Sequence, residues 1–354
     1  MAEEEFVDLR PEGEQNKKKK SGCLIFLIVL LSLLLVALIA VAVVMNHVFG
    51  RLGRFENPAP GETVSMLPED TETDPPENVE GLETMDATDV TFATVDVLQG
   101  DVVNIMLIGQ DRRPGEERAR SDSMILVSMN KEKGTIRLTS FMRDLYVQIP
   151  GYLDNRLNAA FRYGGTDLMN ETFKVNFGLE IDGNVMVDFD EFTEIIEILG
   201  GVTLEISGAE AKYMNSCATA TKTFKAGVNY FNAAEALDFT RMRYAAGGDY
   251  GRTDRQRRVL MAIAESFRDA DIRTLWTAIE EILPHIVTNL DNSQIIEYAT
   301  TGLSILGSGA QIETLRIPQD DAHRNASIRG MAVLVPNLEM CREDLQEFIY
   351  ENDN

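Results

Sequence analysis

The chain is poor in the residues from which nucleophilic and zinc centres are usually built: 354 residues hold three histidines, three cysteines and one tryptophan. His47, His285 and His323 are too scattered for a histidine triad or an HExxH zinc site, and His285 falls in a predicted helix with no obvious partner. Cys23, Cys217 and Cys341 are too few for a disulfide scaffold and lack the paired spacing of a structural zinc site. Cys23 opens an apolar run, so only Cys217 and Cys341 are left to pair with each other, and no function rests on them. There is no Gly-x-x-x-x-Gly-Lys-Ser/Thr loop, which excludes a P-loop nucleotidase. Positive charge is also short. Against 57 Asp and Glu there are 33 Lys and Arg, and the net charge of -24 excludes general affinity for nucleic acid. Any anion site here must be local and dense in Arg.

What the chain does have begins with an uncharged stretch over residues 23–45. At about 1.5 Å per helical residue it is long enough for roughly 30 Å of bilayer hydrocarbon, so it is predicted to be a transmembrane helix. Lys17, Lys18, Lys19 and Lys20 precede it and outweigh Arg51 and Arg54 behind it, which puts the tail 1–22 in the cytoplasm and the rest outside. A cleaved signal peptide is the competing reading; the run is longer than a usual h-region, and no small-x-small site closes it before Asn46. Residues 46–94 are acidic and Pro-rich from Asn57 onward, a composition that cannot bury enough apolar surface to order itself, and are expected to be a disordered stalk. One external domain is expected over 95–354.

Within it, short Val, Ile, Leu and Met runs at 102–108, 123–129, 135–141, 185–189, 202–206 and 312–317 read as strands. Helical patterns occupy 157–163, 167–177, 190–199, 233–237, 254–270, 272–287, 293–306 and 335–350. The alternation predicts an α/β fold, a three-layer α/β/α sandwich with a mixed central sheet. No internal repeat interrupts it.

Asp and Arg gather at the ends of these elements. The strand ending at Ile108 runs into Gly109-Gln-Asp111-Arg-Arg113, and Arg120-Ser-Asp122 leads into the next, where residues two apart share a face. Arg143-Asp144 follows the third strand. Arg241-Met-Arg243 follows a short helix, and its two guanidinium groups share a side only if the stretch is extended. In Asp249-Tyr-Gly-Arg252-Thr-Asp-Arg-Gln256, Thr253 and Gln256 have the form of a capping box opening a long helix, whose N-terminus with Arg around it favours phosphate. Arg255, Arg257 and Arg258 are expected to include solvent-facing members of that helix, and for any single Arg–Asp neighbour a solvated ion pair is the ordinary reading. Two carboxylates at neighbouring strand ends suit Mg²⁺, whose other positions water and phosphate oxygens fill, and converging Arg side chains would grip the same phosphates. The combination points to phosphoryl transfer.

These motifs, taken in order from Asn104 to Phe267, resemble the LytR-CpsA-Psr family. The series is Asn104-Ile-Met-Leu-Ile-Gly-Gln-Asp-Arg112, Arg120-Ser-Asp122, Ser140-Phe-Met-Arg-Asp144, Leu157-Asn-Ala-Ala-Phe161 with Gly164-Gly165, Leu199-Gly-Gly-Val202, Ala236-Leu-Asp-Phe-Thr-Arg-Met-Arg243 and Asp249-Tyr-Gly-Arg-Thr-Asp-Arg-Gln256. One departure is that Met142 stands where family members commonly carry Pro before Arg143.

The resemblance implies that Asp111 and Asp122 bind Mg²⁺, or Mn²⁺ in its place. Arg120, Arg143, Arg241, Arg243, Arg252 and Gln256 would surround the pyrophosphate of a polyprenyl-linked glycopolymer, with Asp249, Arg243 and Arg252 as the catalytic members. Asp249 either orients an Arg or helps activate the acceptor hydroxyl. The implied reaction transfers the glycopolymer to peptidoglycan, with an apolar channel for the polyprenyl tail and pyrophosphate hydrolysis as a side reaction. The implied partners are the lipid-linked donor, peptidoglycan and the bilayer, without nucleic acid. A non-catalytic scaffold or sensor for polyprenyl phosphate or wall polymer is the alternative. The family's older label of transcriptional attenuator would need a cytoplasmic DNA-binding module, for which 22 residues of mixed charge are too few.

Overall fold

The computed structural model describes residues 48–55, 82–92, 95–110, 120–242, 247–268 and 272–351. Residues 1–51 and 52–354 form two compact units. Of the first, only 48–51 are described, a turn in which Arg51 N–H donates to Val48 O at 3.3 Å. The tail 1–22 and the predicted span 23–45 lie outside the described residues, among which no helix is long and apolar enough to cross a membrane.

The second unit is organised by one mixed sheet. Its middle consists of β3 (Val103–Gln110), β4 (Ser121–Asn130) and β5 (Thr135–Phe141), joined antiparallel in sequence order. On one side β8 (Gly183–Asp188) pairs parallel to β3, followed by β11 (Val287–Thr288) and β1 (Gly53–Arg54); on the other, β12 (Ile312–Ile317) pairs parallel to β5. The strand order is β1-β11-β8-β3-β4-β5-β12. The predicted α/β fold with a mixed sheet is what the chain adopts.

The two faces of that sheet are packed differently. On one, Met106, Ile108, Met124, Leu126 and Phe141 are no more than 2 % exposed. Helix α1 (Asn158–Phe177) lies over them and contributes Phe161, Phe173 and Phe177, so that the Phe141 ring meets Phe173 edge-on at 4.8 Å and Phe177 at 5.3 Å. Edge-to-face rings at this spacing add to what burial alone contributes. Helix α1 kinks at Gly164 and Gly165, the latter at φ 64°, which is why the sequence reads as two helical segments.

The opposite face carries Val103, Ile105 and Leu107 of β3, Val127 and Met129 of β4 and Val185 of β8, with Leu107 beside Val185 and Ile105 beside Val127 in register. Helices α5 (Gly248–Arg268) and α7 (Asn292–Gly307) approach it through Ala264, Tyr298, Ile305 and Leu306. Val103, Leu107, Val127 and Val185 stay only partly buried there, although β3 and β4 are the inner strands.

A second core lies beside α5. The ribbon β9 (Val202–Ile206) with β10 (Gly227–Phe231), helices α2 (Phe189–Ile198), α3 (Gly208–Met214) and α4 (Ala233–Arg241), and Val259 of α5 enclose Phe224, Phe231 and Phe239. A third core is a small sheet in which β13 (His323–Ile328) pairs antiparallel with β14 (Met331–Pro336) and parallel with β2 (Glu83–Met85).

Several expectations are corrected. The folded unit starts well before Val95: Gly53–Arg54 joins the main sheet, Arg54 donates to the carbonyl of Leu290 and to Asn292, and Met85 is 8 % exposed in the third core. Acidic composition hid two short pairing segments at the ends of the predicted stalk; residues 56–81 and 93–94 are outside the described residues. The predicted helix 272–287 ends at Ile282, because Pro284 turns the chain into the Leu283–His285 3-10 turn, and Val287–Thr288 is a strand. His285 has a partner after all, its Nδ1 lying 2.8 Å from Glu194. The closing helix begins at Leu338 because Met331–Pro336 pairs with β13. Cys217 and Cys341 are unbridged thiols in different cores; burial pushes Cys341 up to about 12.

Candidate active site

The candidate residues collect where β3, β4 and β5 expose one common edge of the sheet. Gln110 ends β3 and pairs across a bulge with Ser121, the first residue of β4, so that Asp122 sits at the same end of the sheet as the last residues of β3. Asp111 itself, like Arg243, lies outside the described residues. Beyond the end of β5, Met142 N–H donates to Ile317 O at 2.9 Å, which fixes the turn that presents Arg143 and Asp144.

Arg143 is the hub. Its Nη1 donates to Asp122 Oδ1 at 2.6 Å, and its Nε faces Asp144 Oδ2 at 3.6 Å. Burial alone would lower the Arg143 pKa, but Asp144, Asp122 and Asp249 more than offset this and hold the guanidinium charged. Asp144 is pushed above the ordinary carboxylate range, first by burial and also by Asp249 and Asp122, while Arg143 and Arg252 pull the other way. Its second oxygen stands 3.5 Å from Arg156 Nε. The Arg156 guanidinium also donates twice to Ala332 O, at 3.0 and 2.7 Å, and Leu334 N–H donates to Asp144 O at 2.9 Å. The β13–β14 hairpin is thereby a buttress behind the site.

Helix α5 supplies the other wall. Gly247 and Gly248, at φ 76° and 54°, turn the chain so sharply that the helix starts at Gly248, five residues before the predicted cap. Thr253 is therefore inside the helix, its hydroxyl donating to Tyr250 O at 2.9 Å, and the capping-box expectation is wrong. The early start brings Asp249 into the first turn and pairs it with Arg252 at 2.9 Å, an i,i+3 contact in which Arg252 is 6 % exposed. Gln256 lies one turn further along, four residues after Arg252. The unpaired amides of the first turn give this end of α5 a positive potential suited to phosphate.

Arg120 enters β4 partly buried. Arg241 closes α4 with its guanidinium 4.6 Å over the Phe189 ring, at the end of β8 and one strand from β3. Met242 leaves the helix at φ -58° and ψ 121°, and the side on which Arg243 would stand lies outside the described residues. The expected solvent exposure fails for Arg255 and Arg257, which are 1 % and 8 % exposed, while Arg258 keeps 27 % of its side chain open as it donates to Glu210 at 2.8 Å. Arg255 is buried because it reaches the Met242 carbonyl and lies 3.7 Å from Glu210, tying α5 to the second core.

Asp144, which the sequence placed beside Arg143 without a role, and Arg156, which it did not single out, are the added members. Asp144 was legible because it follows Arg143 directly at a strand end, whereas Arg156 reaches the site only through tertiary packing. A third addition is the pair Tyr250 and His323, Oη to Nε2 at 2.7 Å. His323 Nδ1 donates to the Gln319 carbonyl at 2.8 Å, so its Nε2 accepts from Tyr250. Arg316 lies 4.2 Å over the Tyr250 ring.

Asp122, Asp144 and Asp249 thus alternate with Arg143, Arg156 and Arg252 around one sheet end, next to the partly buried apolar face. Such a set can bind an anion bidentately and stabilise charge that develops on it. Among the described residues no three His, Cys, Asp or Glu side chains converge as a metal cage. The oxygen donor of Asp122 is nevertheless of the kind a hard cation takes, with 28 % of the side chain open to solvent.

The LytR_cpsA_psr family model matches residues 71–347. The polyisoprenyl-teichoic acid–peptidoglycan teichoic acid transferase TagU of Oceanobacillus iheyensis is 34 % identical over 225 residues, 61 % of this chain and 67 % of that protein. The crystal structure of B. subtilis TagV is similar with a TM-score of 0.58 and 27 % identity, covering 71 % of this chain and 99 % of TagV. A structure of the LytR-CPS2A-psr family protein YwtF (TagT) with bound octaprenyl pyrophosphate lipid has a TM-score of 0.55 at 22 % identity, over 73 % of this chain and 97 % of that one, a likeness of fold.

Proposed function

Because the chain belongs to the LytR-CpsA-Psr family, we propose that it is a membrane-anchored phosphotransferase that moves an anionic or secondary glycopolymer from a polyprenyl-pyrophosphate carrier to peptidoglycan, leaving a phosphodiester link. The observation that carries this reading is the junction of two environments: an Arg and Asp cluster at the sheet end, and beside it a row of apolar side chains on inner strands that the helices leave partly uncovered. A ligand with a pyrophosphate head and a long apolar tail matches both at once.

In this reading Arg120, Arg143, Arg241, Arg243, Arg252 and Gln256 hold the pyrophosphate, aided by the first turn of α5. Leu107, Val127, Val185 and Tyr298 line the start of the tail's path. Asp249, held by Arg252 at 2.9 Å, orients that Arg. Asp111 and Asp122 would hold Mg²⁺ or Mn²⁺, which when bound neutralises phosphate charge. The residues themselves fix the phosphates, keep Arg143 charged between two carboxylates and direct the acceptor sugar hydroxyl toward phosphorus. Hydrolysis of the pyrophosphate bond is the side reaction expected without acceptor. The span 23–45 would keep enzyme and lipid donor at one outer membrane surface, with nearby acidic residues supplying reach.

The test uses the full chain in lipid vesicles with a polyprenyl-pyrophosphate-linked oligosaccharide, peptidoglycan and Mg²⁺. Transfer by the parent that collapses in Asp122→Ala and Arg243→Ala, and on chelation of the cation, is the expected result. Protein that binds the lipid donor tightly yet transfers nothing from several donors would establish the scaffold reading instead.

A further inference from the structure

The proposed transfer needs a base for the attacking hydroxyl, and three carboxylates surround the phosphate site. Their engagements differ. Asp122 accepts a 2.6 Å hydrogen bond from Arg143, and is also one of the two carboxylates assigned to the cation. Asp249 is at 2.9 Å from Arg252 on its own helix. The oxygens of Asp144 stand 3.6 Å from Arg143 Nε and 3.5 Å from Arg156 Nε, near enough for ion pairing but longer than the usual N–H···O hydrogen bond. Asp144 is therefore the carboxylate whose contacts to guanidinium groups are the longest of the three, and 17 % of its side chain is open to solvent.

Its position is also the right one. One guanidinium, that of Arg143, touches Asp122 with Nη1 and faces Asp144 with Nε, so a phosphate gripped by Arg143 lies beside Asp144. The main chain is clamped on both sides: Leu334 N–H donates to Asp144 O at 2.9 Å, and Asn158 N–H donates to Arg143 O at 3.2 Å. Burial, the main influence on Asp144, raises its affinity for a proton, as a base requires.

We propose that Asp144 is the general base of the transfer, on the premise that the chain is the transferase described above. An Asp144 oxygen takes the proton of the acceptor sugar hydroxyl as that oxygen forms its bond to phosphorus. The bond from the same phosphorus to the bridging oxygen breaks, and polyprenyl phosphate departs with the electron pair. Asp249 orients Arg252 and takes no proton.

The experiment measures transfer between pH 5 and 9 by the full chain in vesicles, with the lipid-linked oligosaccharide donor and peptidoglycan. It compares the parent with Asp144→Asn, Asp144→Ala and Asp249→Asn, and donor binding is measured alongside. Because the base must be ionised, the parent should lose rate as pH falls. Asp144→Asn should lose about 10²- to 10⁴-fold in turnover, bind donor within about threefold of the parent and show no acid limb. Added formate should restore part of the Asp144→Ala rate, an effect a purely structural role would not produce. Asp249→Asn should be slower yet keep the acid limb. The assignment is overturned if Asp144→Asn keeps that limb, if the limb disappears in Asp249→Asn instead, or if formate restores nothing while donor binding falls along with the rate. A parent that transfers nothing overturns the transferase reading and this assignment with it, whereas a parent that transfers while Asp144→Asn keeps its limb overturns this assignment alone.

Discussion

The two faces of the central sheet come from the same strands, yet they are packed to different degrees: on the second, Ile105 and Met129 are buried but Val103, Leu107 and Val127 only partly. On the side of α1, residues such as Met106 and Leu126 are fully buried and the rings of Phe141, Phe173 and Phe177 interlock. One residue along each strand, Leu107 and Val127 point to the side of α5 and α7 and remain partly accessible. Burial of apolar surface is what folding gains, so leaving the inner strands of a sheet partly uncovered forgoes stability. The sealed face therefore carries the fold, and the uncovered face is available to something apolar. The charged cluster lies at the end of the same strands, where a ligand can engage both.

This contrast yields graded expectations. The largest change in stability is expected on the sealed side: Phe141→Ala, removing a ring packed against Phe173 and Phe177, should cost about 4 kcal/mol in urea unfolding of the folded unit. Leu126→Ala, one row away and fully buried, should cost about 3 kcal/mol in the same measurement. On the other side Val127→Ala should cost about 1 kcal/mol or less, because much of the neighbouring packing is absent to begin with. Equal losses at Leu126 and Val127 would erase the distinction between the faces.

The second core offers a pH-dependent check that neither face shares. Glu235 is fully buried; burial would raise its pKa, but hydrogen bonds from Lys222, the Thr221 amide and hydroxyl and the Asn232 amide overcome this and hold it at about 2. A carboxylate lowered from 4.5 to about 2 contributes stability that is present above pH 4.5 and is lost as pH falls toward 2. At about 1.4 kcal/mol per unit, that is of the order of 3 kcal/mol. Unfolding of Glu235→Gln should show a correspondingly smaller loss of stability across that window than the parent, measured by urea titration at stepped pH.

Much of the sheet was legible because its strands are short apolar runs with clear breaks, and β3, β4, β5 and β12 fall where the runs fall. The two-residue strands Gly53–Arg54 and Val287–Thr288 were not, since two residues carry no periodicity and owe their pairing to tertiary context. The start of α5 was misplaced because Thr253 and Gln256 mimic a capping box, while the positive φ angles of Gly247 and Gly248 govern the turn. In the site, residues already adjacent to a strand end, such as Asp122 and Arg143, could be read from the sequence. Arg156 and the Tyr250–His323 pair could not, because their partners lie far away along the chain and no local spacing encodes the contact. The burial of Arg255 is of the same kind: only the fold brings Glu210 to it.

The most direct test of the account fills the uncovered face. Val127→Phe adds bulk beside Ile105 without touching the Arg and Asp cluster. Transfer is then compared for two donors with the same pyrophosphate and sugar, one on a long polyprenyl chain and one on a short chain that ends before Val127. The account predicts that KM for the long-chain donor rises about tenfold, worth about 1.4 kcal/mol of binding, while the short-chain donor is used as well as by the parent. A variant that handles both donors like the parent, or loses both equally, would contradict the claim that this face receives the lipid.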